Sequence, residues 1–240
     1  MRSILLTLAA LLFLCGSQLR ADGLLEFNEQ VELANRPYIS SLFYLRTGNA
    51  GLASLELSRA IANWEKVVTG YKTNPPEQFQ NDAAWGDTID QVLSVLNEGA
   101  NLTTDGDAKA ARKILLPIRK TLHELRKRNG ATVLADCIFD LNDHMSVLYH
   151  YRHNAPDFSD PTVRNTVKTV SENYRNTLNR CREQADPALQ NDADFRSIFD
   201  STTRSANNLF KLIEDKNTPA FINVLREIMS FDVMIALRWG

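Results

Sequence analysis

Glycine is missing between Gly130 and the terminal Gly240, and Val, Ile and Thr form no alternating runs in that half. These absences remove the tight-turn and strand signals that a sheet needs, so this half reads as all helix. Catalytic signatures are missing too. The chain has no Gly-x-Ser-x-Gly, no His-Glu-x-x-His, no phosphate-cradling glycine loop and no dinucleotide fingerprint. Carboxylates such as Asp140 and Asp143 lie close together, but nothing in the sequence marks a raised pKa or a cleft, and a non-catalytic protein is expected. After residue 21 no stretch is long and charge-free enough to span a bilayer as a helix, which takes roughly 20 apolar residues. Cysteine is scarce, with three in the whole chain at positions 15, 137 and 181.

At the N-terminus, Arg2 precedes an uncharged apolar run from Ile4 to Leu14, and small residues follow. This is the pattern of a secretory signal peptide over residues 1–21, with Ser17 or Ala21 at the cut. The expected mature chain is therefore exported, to a periplasm or the extracellular space. A lipid anchor on Cys15 fits less well, because Leu14 stands where such signals carry a small residue. Losing the leader removes Arg2 and Arg20, which leaves 25 basic against 29 acidic residues. That balance gives no reason to expect a nucleic-acid partner.

Apolar positions recur at the helical period through the second half. Leu134, Ile138, Leu141, Met145 and Leu148 make one stripe; Val163, Val167, Val170, Tyr174, Leu178 and Cys181 make the next; Phe195, Phe199, Ala206, Leu209 and Ile213 make a third. A fourth runs from Phe221 through Leu225 and Ile228 to Ile235 and Ala236. Polar caps followed by proline, at Asp160-Pro161 and Asp186-Pro187, punctuate them, as does Asn217-Thr-Pro219. The expectation is a four-helix antiparallel bundle over residues 131–240. Its last segment is apolar almost to the end, so Phe231, Ile235 and Trp239 should dock on the core.

Residues 22–130 have a different grain. A short helix is expected over Leu24 to Ala34, a helical hairpin from Pro37 to about Lys72, and a second hairpin from Thr88 to Arg128, bent at Pro117. In the first hairpin Tyr44, Gly48, Ala53, Leu57 and Ala60 follow at steps of four, five, four and three; a similar set recurs 58 residues later around Gly106, Ala111, Leu115 and Ile118. This spacing resembles the tetratricopeptide repeat, over residues 37–66 and, less closely, 88–128. Small residues allow close helix crossing and glycine relieves the turn. Glu65 stands where the family places its terminal proline, and Pro117 and Ile118 depart from the second copy. The resemblance implies a scaffold of helical hairpins that binds protein.

Four candidate sites emerge. Cys137 and Cys181 fall on inner stripes flanking the loop near Pro156, where an antiparallel pair brings them level for a disulfide. Asp136, Asp140 and His144 repeat every four residues on one helix face, with His150 and His153 a turn or two beyond. Imidazole and carboxylate at such spacing can hold a metal, and Asp140, His144, His150 and His153 are the proposed set. A solvated helix face has the same spacing. A noncovalent haem held by Met145 and a distant histidine is a further option, since the chain lacks Cys-x-x-Cys-His. A metal- or haem-binding carrier using residues Asp136 to His153 is therefore the rival to protein binding. Last, residues 111–129 hold seven basic residues against Glu124 alone. Arg112, Arg119, Lys120, Arg126 and Arg128 are the expected docking face for an acidic partner or an anionic surface; cations near the helix C-terminus also suit its dipole.

Overall fold

A computed structural model describes residues 2–240, with side chains from Gly23 onward. The side chains of the leader expected over residues 1–21, Cys15 among them, lie outside those described. Among the described residues the chain is all-α, without a strand, and no helix is long and apolar enough to cross a membrane. Two compact units divide it, Met1–Thr132 and Val133–Gly240.

The first unit contains α1 (Arg2–Thr47), α2 (Ala50–Tyr71), a 3-10 turn at Glu77–Phe79, α3 (Trp85–Thr104), α4 (Ala108–Leu115) and α5 (Pro117–Arg128). α1 packs on α2 and α4, and α3 packs on α2, α4 and α5. The expected break near Pro37 does not occur, because Pro37 lies inside α1. Proline cannot supply the N–H that would bond the carbonyl four residues back. Here that carbonyl, on Leu33, accepts instead from Asn63 Nδ2 of α2 at 2.9 Å. The neighbouring hairpin helix thus satisfies the group that proline orphans, and α1 runs on. At Pro117 the helix does break, into α4 and α5.

Where the helices of this unit reach the 72–85 connection, Phe27, Tyr71, Phe79 and Trp85 form an aromatic cluster. Phe79 stacks on Trp85 at 4.8 Å, and Phe27 meets Tyr71, Phe79 and Trp85 at 5.2–5.5 Å. The Trp85 indole N–H is 3.2 Å from both the Tyr71 and Lys72 carbonyls, which closes the C-terminal end of α2. The Asp82 carboxylate ties the same connection to the end of α5. It accepts from Arg128 Nε at 2.8 Å, Asn129 Nδ2 at 2.6 Å and the Ala84 N–H at 3.0 Å. Burial opposes its charge, but these hydrogen bonds outweigh burial and hold the carboxyl below its ordinary 3.8. A lowered folded-state pKa stabilises above the unfolded value and loses that contribution as pH falls below 3.8 through the depressed value. Asp82→Ala should cost about 2 kcal/mol at neutral pH, and the deficit should shrink on acidification. Denaturant unfolding of both proteins across the acid range measures it; a pH-independent deficit would contradict the assignment.

The second unit contains α6 (Leu134–Tyr149), a 3-10 turn at His150–Arg152, α7 (Pro161–Gln184), α8 (Pro187–Asn191), α9 (Ala193–Glu214) and α10 (Thr218–Trp239). α6 packs on α7 and α10, and α9 packs on α7 and α10, so four long helices share one core. Asp160, Asp186, Asp192 and Asn217 each accept a backbone N–H of the helix they open, at 2.7–3.1 Å. Two of the three residues expected to dock the final segment do so: Ile235 is fully buried and Trp239 meets the ring of Phe195 edge-on at 5.0 Å, whereas Phe231 is half-buried outside the core cluster.

Three of the helix-to-helix turns are the same object. In each, a residue with positive φ precedes an Asn or Asp cap: Gly48-Asn49, Gly106-Asp107 and Lys216-Asn217. In each, the cap N–H bonds a carbonyl five residues back at 2.9 Å. The buried register after each turn is also shared. Ala53, Leu57, Ala60, Trp64 and Val67 in α2 correspond to Ala111, Leu115, Ile118, Leu122 and Leu125 in α4 and α5, and to Phe221, Leu225, Ile228, Asp232 and Ile235 in α10. Lys216 carries φ of 55° where the other two turns use glycine. Its Cβ makes the left-handed region costly by roughly 1–2 kcal/mol, partly offset by the lower entropy cost of fixing a non-glycine residue. Lys216→Gly should therefore raise stability by about 0.5–1 kcal/mol, read as a higher denaturation midpoint with an unchanged slope.

Candidate functional site

The region from Asp136 to His153 follows from α6 and the turn after it. Asp136 is buried and accepts the Val133 N–H at 3.2 Å, closing the N-terminus of α6. Asp140 pairs with Arg180 of α7 at 3.2 Å. His144 is half-buried one turn on. α6 ends at Tyr149, so His150 and His153 leave its face; the His150 ring lies 2.8 Å from Asn154 Nδ2, and His153 is exposed. Among the described residues no three His, Cys, Asp or Glu side chains converge as a ligand set. Asp140, His144, His150 and His153 are thus not brought together, because the helix they would share ends before the last two. Met145 is buried in the core of this unit.

Cys137 and Cys181 stand at disulfide distance, with Cα atoms 5.4 Å apart, and both are buried. They join the first turn of α6 to the last turn of α7, at the end remote from the connecting loop.

A polar group sits within the same core. Asn142 Nδ2 donates to Asp232 Oδ2 at 2.8 Å, and Asp232 is 4 % exposed. The Tyr174 phenol lies beside it; burial first, then the Asp232 charge, pushes that phenol well above its ordinary value. Asp232 occupies the core register that Trp64 and Leu122 fill in the other two hairpins, so sequence periodicity alone passes over it. The signal available was a lone acid at an inward position of an otherwise apolar stripe. Burial holds these groups within the core.

The basic run divides into two rows. Arg112, Arg119 and Arg126 recur every seven residues on the flank of α4 and α5, where Arg112 and Arg119 are half-buried and Arg126 is 5 % exposed. Arg112 and Arg119 lie near Tyr38, whose phenol donates to the Leu115 carbonyl at 2.8 Å and is pushed upward by burial. Arg128 is committed to Asp82 and to Thr88 Oγ1. Of the five residues expected to form one docking face, Lys120 is exposed beside Glu124 at 3.7 Å, and Arg128 is exposed but held by its pair with Asp82. The solvent row is instead Lys109, Lys113, Lys120 and Lys127, with Leu116 among them. Spacing contained this signal: those lysines fall opposite Ala111, Leu115, Ile118, Leu122 and Leu125, the residues that fix the buried face.

Exposed large apolar side chains concentrate elsewhere, on the first hairpin. Leu25 and Leu33 of α1 are 58 % and 48 % exposed, and Leu52 and Leu55 of α2 are 40 % and 48 % exposed. In comparisons with protein-family models, curated proteins and solved structures, the chain finds no match.

Proposed function

We propose that the protein is an exported, non-catalytic helical scaffold that binds another envelope or secreted protein. The observation that carries this reading is the set of leucines left in solvent along α1 and α2. Four large apolar side chains left exposed on one helical hairpin, with polar neighbours such as Glu56 and Arg59, are what an interaction surface presents. The repeated hairpin register supports a tetratricopeptide-like first unit, in which such a surface would be the outer face of one repeat. Cross-helix pairs support an antiparallel bundle in the second unit: Lys168 with Glu214 and Arg182 with Asp200 between α7 and α9, then Ser205 with Glu227 and Asp194 with Arg238 between α9 and α10.

Leu52→Ser with Leu55→Ser tests the reading. These side chains are solvent-exposed, so the double substitution should leave the unfolding free energy within about 1 kcal/mol of the parent. Cross-linking in an envelope extract should yield a defined partner with the parent chain and lose it with the variant. Equal recovery by both would remove the leucine surface from the account. A stoichiometric metal by elemental analysis, or a haem absorption band, on the native protein would replace the scaffold by a carrier.

A further inference from the structure

We propose that the lysine row of α4 and α5 is a docking face for an anionic phospholipid headgroup layer. This goes beyond protein binding at the α1–α2 leucines and stands on different residues. Lys109, Lys113, Lys120 and Lys127 are all exposed and recur at steps of four and seven, the spacing of one helix side, two on α4 and two on α5. Leu116, 43 % exposed, lies within the row, next to the exposed ring of Pro117. Among the described residues, Lys109, Lys113 and Lys127 have no acidic partner, and Glu124 is the one acid on this face.

Chemistry selects the occupant. Protein interfaces favour Arg and aromatic anchors set in pockets and are depleted in Lys. Here the arginines turn to the flank, and the outward row is lysine without an aromatic on a convex helix surface. A lysine ammonium is a compact, hydrated, mobile charge that makes no fixed fork. It suits a layer of phosphate groups whose positions are not fixed. Lysines near an anionic bilayer contribute about 1 kcal/mol each at moderate salt. The row by itself gives weak, reversible adhesion, and Leu116 adds apolar contact at the headgroup boundary. The row sets four lysines against Glu124, so the attraction is concentrated there while the chain as a whole is acidic.

The test is co-sedimentation of the mature chain with vesicles of phosphatidylcholine alone, or of phosphatidylcholine with a phosphatidylglycerol minority, at low and near-physiological salt. Binding should require phosphatidylglycerol and weaken as salt rises. Lys113→Glu with Lys120→Glu should bind roughly 30-fold more weakly, equivalent to about 2 kcal/mol for two lysines. The charge-matched control Lys211→Glu with Arg226→Glu, on α9 and α10, should change binding only a few-fold. Far-UV dichroism and the unfolding midpoint verify that each variant folds; should the reversal misfold, Lys113→Gln with Lys120→Gln carries the same comparison. Equal loss in row and control variants would reduce the effect to net charge and overturn the proposal. So would binding that ignores phosphatidylglycerol, or lysine-dependent binding of polyglutamate by a chain that leaves the vesicles untouched.

Discussion

Replacing both Cys137 and Cys181 by alanine should lower the stability of the second unit by about 4 kcal/mol. The pair is 44 residues apart, and fixing a loop of that length in the unfolded chain gives this figure on the chain-entropy estimate. Against a typical domain stability of about 5–15 kcal/mol, that is a large share. Geometry explains why the bond acts here. α6 and α7 are joined at one end by the connection holding His150 to Asp160, and the disulfide closes the other end, so neither helix can splay without breaking it. Both sulfurs are buried, which shields the bond from dithiol reductants until the unit opens. Denaturant unfolding of the parent, the double variant and the parent unfolded with reductant present should give one high and two low midpoints. Unchanged midpoints would mean the second unit owes its stability to packing alone. Mass analysis under non-reducing conditions should find no free thiol at either position.

The helices of the second unit were legible because their ends are written in side chains. Asp160 and Asp186 stand immediately ahead of proline, and Asn217 precedes Pro219 by two residues; all three turned out to be working caps. The turn at Lys216 was less legible for the complementary reason. Its two counterparts announce themselves with glycine, whereas here lysine holds the left-handed conformation, so the third occurrence of the hairpin shows only in backbone geometry. Pro37 misled in the opposite direction. It reads locally as a helix boundary, but whether a proline ends a helix depends on who satisfies the carbonyl it abandons, and Asn63 lies 30 residues away. Charge was legible as a sum and illegible as a direction. Counting basic residues identified the α4–α5 stretch, but only the phase set by Ala111, Leu115 and Ile118 separates Arg112, Arg119 and Arg126 on the flank from the lysines in solvent. The histidines failed as a set because α6 stops at Tyr149, a boundary that the residues from His150 to Asn154 do not mark strongly.

Gly99→Ala should destabilise the first unit although it replaces glycine by the best helix former, and Leu115→Ala should reverse the sign. Gly99 lies inside α3, and a Cβ built there would sit 2.7 Å from Leu115 Cγ and Cδ2 and 2.9 Å from Cδ1. Leu115 is fully buried and is the residue of α4 that crosses α3 at this point, so its side chain has little room to withdraw. Overpacking of this kind costs about 1–3 kcal/mol, against a propensity gain of about 1 kcal/mol for removing a mid-helix glycine. The expected net effect is a loss of up to about 2 kcal/mol. Leu115→Ala alone should cost about 2–5 kcal/mol through lost burial and the cavity left behind. With that cavity present the added methyl meets no obstacle, and Gly99→Ala should then be neutral or stabilising. A double-mutant cycle on denaturation free energies reads the difference as a coupling of about 1–3 kcal/mol. Additive losses would show that α3 and α4 can move apart at this crossing. The corresponding position of α1 is Ser41, fully buried with its hydroxyl turned back to the Tyr38 carbonyl at 2.6 Å. A small residue therefore stands eight positions before the cap in both hairpins of this unit, Ser41 before Asn49 and Gly99 before Asp107. The third hairpin places Leu209 there instead and takes its small residue at Ala206, three positions earlier. The sensitivity to an added methyl should accordingly be sharpest at Gly99, where the side chain has been reduced to nothing.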